Sequence, residues 1–336
     1  MSGRQKPLSL FVQIILSLAA LVAVFSLAML LGAKQVSFSE LWLVLTGRGG
    51  ADDKIAMLRE IRYPREVAAV LVGAALSVSG AIMQGLTRNP LADPGLLGLT
   101  AGSRAALAVV IAIFPALNYF GIMLVCFIGA ALGMLLVVGI GAVKKGGLSP
   151  FRIVLAGSAV SAFLYAVADG IGLLTKTSKN VTMWTSGGLI GTTWGQIQMI
   201  SPVVIACLVI ALLLSKSLTI LSLNEEAAVG LGLNTAYVKA ILYILIVLLA
   251  GASVALVGNM AFIGLMIPHI VRSLFGTDYR SVIPMSAIWG AVFMLMADTL
   301  GRTLYAPFET PVVAITALLG LPFFLFVVRK GVKALS

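Results

Sequence analysis

Residues 80–98, GAIMQGLTRNPLADPGLLG, decide how this chain is read. Arg88, Asn89 and Asp93 sit there among Pro90, Pro94 and four glycines, between two apolar runs each long enough to cross a bilayer. Lipid offers no hydrogen-bond partners. Irregular backbone between membrane helices is therefore tolerated only at the membrane surface or against a protected cavity. The stretch is either a tight surface turn or the lining of a cavity, and both readings require a helical membrane protein.

Composition agrees. Of 336 residues, 60% are hydrophobic and 10% charged, and the mean hydropathy is +1.10. A soluble fold of this size could not bury that much apolar surface. Apolar runs recur along the whole length, each able to span a ~30 Å hydrocarbon core. The alternating ~10-residue segments of a membrane β-barrel are not seen. The net charge of +11 comes from basic residues scattered singly among apolar runs, which excludes a nucleic-acid face and fits the positive-inside rule. Cys126 and Cys207 lie mid-run and read as small buried hydrophobes. The first apolar run is too long for a signal peptide and reads as a retained helix.

The fold class expected is an all-α polytopic membrane protein with ten spans, near 10–32, 64–86, 95–114, 118–142, 151–174, 195–215, 237–257, 261–275, 281–302 and 310–329. Loop charges, Lys144, Lys145, Arg152 and Lys216 among them, place both termini in the cytoplasm. Arg62, Arg65 and Arg302 then fall on the opposite, less basic side. A shift of 178 residues lays Gly73, Ala74, Gly80 and Pro90 on Gly251, Ala252, Gly258 and Pro268. That faint match points to one membrane unit over residues 1–336 with halves at 1–175 and 176–336. Five helices per half make the repeat inverted.

The segment 218–237, LTILSLNEEAAVGLGLNTAY, is the longest polar stretch on the cytoplasmic side. Asn224 is suited to cap a helix whose first turn carries Glu225 and Glu226, where carboxylates favour the dipole. Gly230, Leu231 and Gly232 end that helix and turn the chain. The segment is either a capped surface loop or a docking element for a cytoplasmic partner.

With these motifs in view the chain resembles the FecCD-type permeases that import iron–siderophores, haem and cobalamin. The matching residues are RYPR (62–65), GAALSVSGAIMQGLTRNPLADPGLLG (73–98), LNEEAAVGLGLN (223–234), FIGLMIPHIVR (262–272), ADTLGR (297–302) and FETPVVAITALLGLPFF (308–324), in order over most of the chain. Asn259 departs from the proline expected after Gly258. The resemblance implies a permease subunit of an ATP-driven importer in a bacterial cell membrane, working by alternating access. It implies a second permease subunit, identical or paralogous, two ATPase subunits, and an extracytoplasmic binding protein that delivers a ferric siderophore. Haem or cobalamin is the alternative cargo within the same type.

In that family the 218–237 element docks on the ATPase, and the arginines of RxPR and ADxxxR, here Arg62, Arg65 and Arg302, face outward to acidic residues of the binding protein. Charge reversal at Arg62 and Arg65 is accordingly expected to abolish binding-protein stimulation and leave assembly intact. The residues add their own constraint. No GxxxxGK[ST] loop is present, so ATP must be used by a separate chain, and this chain is read as a non-enzymatic subunit with no cofactor of its own. A gradient-driven secondary transporter is the reading from a different class. It would transport unaided.

Three ionisable residues fall within spans, where a charge costs at least ~2.5 kcal/mol and usually faces a partner or a cavity. Arg104 and Asp169 either pair with each other or line the pathway. Asp298 stands four residues before Arg302, at pairing distance on one helix face. His269, the lone histidine, is read as packed rather than metal-binding. Trp184 and Trp194 are read as interfacial anchors. The 88–94 turn is read as a rigid cytoplasmic turn rather than a ligand site.

Overall fold

The computed structural model describes residues 9–32, 36–46, 53–142, 150–186, 188–306 and 308–333. Both termini, Lys144 and Lys145, which entered the orientation argument, lie outside the described residues. Helices form over the long apolar runs, because in lipid every backbone group must be satisfied within the segment. They are α1 (Leu10–Leu30), α2 (Phe38–Leu45), α3 (Asp53–Met57), α4 (Tyr63–Thr87), α5 (Leu99–Ile113), α6 (Tyr119–Ala142), α7 (Pro150–Leu174) and α8 (Ser178–Ser186). The second half adds α9 (Trp194–Leu213), α10 (Ser215–Leu223), α11 (Glu225–Gly230), α12 (Thr235–Val257), α13 (Ile263–Phe275), α14 (Tyr279–Thr303) and α15 (Val312–Lys333).

Seven of these runs are long and apolar enough to cross a bilayer, and the shorter apolar helices α5, α13 and α15 bring the set to the ten expected. The third span begins later than its apolar letters suggest, at Leu99. Before it, Asp93 caps a 3₁₀ turn at Pro94–Leu97, and Gly98 adopts φ 73°. A left-handed residue cannot continue a right-handed helix, so the apolar letters before it do not extend α5.

The centre is α4, buried along nearly its whole length. It enters from a π-helical turn, Leu58–Arg62, with Pro64 in its first turn, where a missing N–H costs nothing. Glycines set its seams. Gly73 lies on Gly290 of α14, and Gly80 on Gly264 of α13. In the neighbouring pair, Gly102 of α5 meets Gly129 and Gly133 of α6. A methyl at any of these would run into the facing backbone. Lipid supplies no hydrophobic drive between helices, so such close backbone approach is what binds them.

The packing repeats five helices on. α4 packs on α13 and α14 as α12 packs on α5 and α6, and α1 meets α14 as α9 meets α6. The register of the sequence match does not hold, however. Pro90 lies in the turn after α4, whereas Pro268 lies inside α13. The better structural equivalents are Gly98 and Phe262, the left-handed residues (φ 73° and 67°) that open α5 and α13.

Candidate functional site

Two adjoining cavities run beside α5, α7 and α13. The larger, about 540 Å³, is bounded by Asn89, Asp93, Thr100, Tyr165, Asn259 and Phe262 among others. The smaller, about 120 Å³, shares Thr100, Tyr165 and Asn259 and adds Ser103, Arg104, Cys126 and Trp184. The residues of the 88–94 turn divide between two tasks. Arg88 leaves α4 at φ 50° and donates through Nε to the Leu221 carbonyl at 3.2 Å. Asn89 accepts from the Leu91 N–H at 3.0 Å, and Asp93 from the Gly95 N–H at 2.7 Å. Pro90 and Pro94 fix φ between these caps. These bonds hold the turn, which the sequence reads as a cytoplasmic turn rather than a ligand site, and it also borders the larger cavity.

Arg104 and Asp169 do pair, at 2.8 Å between α5 and α7. The pair is not buried, since the Asp169 side chain is 60% exposed. The guanidinium also sits 5.5 Å from the Tyr165 ring centroid. Arg104 is thus paired, and it also borders the smaller cavity. Trp184 stacks on Tyr119 at the cavity wall, and Trp194 packs on Tyr63 and donates to the Arg59 carbonyl at 3.0 Å. His269 lies edge-on to Phe323. Cys126 and Cys207 are buried.

At the end of the bundle where α4 finishes, α10 and α11 form the element at 218–237. Asn224 Oδ1 accepts from the Glu226 N–H at 3.0 Å, and Gly232 turns the chain at φ 78°. Glu225 receives the Lys239 ammonium at 2.5 Å, a hydrogen bond that holds its carboxyl below the usual range. Leu223, Val229, Leu231 and Tyr237 are exposed beside the two glutamates. The base is anchored, for Thr219 donates to Asp278 at 2.9 Å and accepts from the Tyr279 N–H at 3.0 Å.

A polar seam joins this end to α13. Pro268 lacks an N–H, so the Gly264 carbonyl one turn earlier loses its helical partner. Gln84 of α4 fills the gap, donating to the Gly264 and Leu265 carbonyls at 3.2 Å each and accepting from Arg272 at 2.5 Å. Gln84→Leu should strip these groups of their partners and cost about 1–3 kcal/mol. A lowered thermal unfolding midpoint in detergent is the expected result. An unchanged midpoint would show that α13 does not depend on this bond.

At the far end, α4 and α14 hold a buried ionic cluster. Asp298, fully buried, accepts three hydrogen bonds from Arg65 at 2.9–3.1 Å. Arg65 also grips both oxygens of Glu309 at 2.8 and 3.0 Å. Arg302 donates to Glu66 and lies 3.0 Å from Asp298, the pairing its spacing predicted. Arg62 donates to the Met29 carbonyl at 2.8 Å. The outward orientation expected for Arg62, Arg65 and Arg302 is corrected here, since they are only 7, 7 and 5% exposed. Three cations face three carboxylates, and such groups stay charged inside a protein only when matched in this way.

A model of the FecCD transport family matches residues 20–330. The iron(3+)-hydroxamate import system permease protein FhuB of Bacillus subtilis (strain 168) is 41% identical over 309 residues, covering 92% of this chain and 80% of that protein. The hemin transport system permease protein HmuU of Yersinia pestis is 37% identical over 339 residues, covering 98% of both. A metal-chelate type ABC transporter solved in an inward-facing conformation superposes with a TM-score of 0.81 at 26% identity, over 96% of this chain and 100% of that one. Ten apolar helices, glycine seams around α4 and a capped α10–α11 element are thus the build of a membrane-embedded chain that belongs to the FecCD transport family.

Proposed function

We propose that this chain is a permease subunit of a binding-protein-dependent ABC importer and moves a ferric siderophore by alternating access. The observation that carries the reading is the α10–α11 element. It presents exposed apolar and acidic residues at one end of the bundle, capped at Asn224 and anchored through Arg88 and Asp278. A transporter that works alone has no need of such an element; one driven by a separate ATPase does. Its Glu225, Glu226, Gly230, Leu231 and Gly232 are proposed to seat in the ATPase, and both termini are proposed to lie on the cytoplasmic side of the cell membrane. A second permease copy or paralogue completes the pathway. The opposite end, where Arg62, Arg65 and Arg302 brace α4 and α14 beneath the exposed Tyr305 and Phe308, is proposed as the face for the binding protein.

Haem is the second reading of the cargo, favoured by the Yersinia pestis relative. The test is uptake of radiolabelled ferric chelate into proteoliposomes. Uptake should require ATP, the ATPase subunits and a loaded binding protein together. Transport by this chain alone, driven by an ion gradient, would overturn the proposal.

A further inference from the structure

The two cavities contain more polar capacity than the fold uses. Arg104 spends Nη2 on Asp169, but its Nε is buried with no hydrogen-bond partner among the described residues. The Thr100 and Tyr165 hydroxyls and the Asn259 amide also make no hydrogen bond within the described residues, and all three border both cavities. Uncommitted polar groups in a membrane-spanning chain are costly and therefore mark sites. A concave pocket with a few convergent donors among aromatic walls is the form a ligand site takes. Trp184 stands at one side of this pocket and Phe262 at the other. Phe262 is held at φ 67°, a backbone conformation that bulky residues rarely adopt and that clusters at functional sites.

We infer that Arg104, Tyr165, Thr100 and Asn259 form a chelate-recognition site that favours an anionic, oxygen-rich ferric chelate over a neutral one. The inference rests on the importer reading and names the ligand charge that reading leaves open. Charge sets the preference because four of the five guanidinium N–H donors of Arg104 are not used on Asp169. Asp169, on the exposed side, tethers the guanidinium over the Tyr165 ring. The site is no metal cage, since no group of three His, Cys, Asp or Glu able to hold a metal occurs among the described residues. Iron would enter already wrapped in its chelator, whose outward oxygens accept from these donors.

Trp184 supplies the probe. The purified full chain in detergent is titrated with iron(III) dicitrate, which is anionic, and with a neutral iron(III) trihydroxamate, and tryptophan quenching is read. The expected result is saturable quenching that is tighter for the dicitrate and lost in Trp184→Phe. Arg104→Ala should weaken the dicitrate about tenfold, the worth of one charged hydrogen bond, and leave the trihydroxamate unchanged. Arg104→Lys, which keeps the charge, should keep the preference, and guards against a folding defect in the alanine variant. Equal weakening of both chelates, tighter binding of the neutral one, or no saturable quenching overturns the inference. The importer reading fails separately, by ATP-independent uptake in proteoliposomes, so the two failures cannot be confused.

Discussion

Asp298→Ala is expected to be the most damaging single change in this chain. Asp298 is fully buried and shared by Arg65 and Arg302, so its loss leaves the three guanidiniums of the cluster facing only Glu66 and Glu309. Removing one partner of a buried charge pair costs about 3–5 kcal/mol, because the remaining charge can neither find water nor leave. The cost falls where α4 packs along α14. The expected outcome is a large drop in the thermal unfolding midpoint and in the yield of monodisperse protein. Glu309→Gln is the control. Glu309 also pairs with Arg65, but its side chain is 34% exposed, and exposed pairs contribute about 0–1 kcal/mol. If the two variants unfold at the same temperature, the cluster is solvated and Asp298 is not a buried counter-charge. The same geometry alters the charge-reversal experiment. An acid at position 65 faces Asp298 and Glu309, so reversal at Arg62 and Arg65 disrupts folding before it reports on docking.

What could be read from sequence follows from the range of each interaction. The ten helices were legible because hydropathy over about 20 residues is a local property set by bilayer thickness. Asn224 as a cap and the Asp298–Arg302 pair were legible because both act within one helical turn. The partners of Arg65, Arg302 and Gln84 were not, since Asp298, Glu66 and the Gly264 carbonyl lie 233, 236 and 180 residues away in sequence. The outer arginines were misplaced for the same reason. A basic residue on the wrong side asks for an acid, and the sequence cannot say whether that acid is internal or belongs to a partner. The cavity was hidden because Asn89, Thr100, Tyr165 and Asn259 come from separate segments. One signal did exist. Asn259 broke the expected pattern after Gly258, and it is one of the three residues that border both cavities.

Gly80→Leu is the second change expected to have a large effect, and it tests the seam on which α13 rides. A methyl at position 80 would fall on the carbonyl carbon and oxygen of Gly264, which belong to backbone and cannot rotate aside. The helices must separate, yet Gln84 one turn further on ties α4 to the Gly264 and Leu265 carbonyls. Separation would break those bonds and shift the start of α13, where Phe262 and Leu265 form part of the cavity wall. The cost is expected at about 3 kcal/mol, the upper end of the usual overpacking range, because the seam also loses its hydrogen bonds. Gly139→Leu, in α6, meets nothing within 4 Å and should stay within about 0.5 kcal/mol of the parent. Thermal midpoints of the two variants, measured side by side in detergent, decide the matter. A Gly80→Leu protein as stable as Gly139→Leu would mean that α4 and α13 are not in backbone contact.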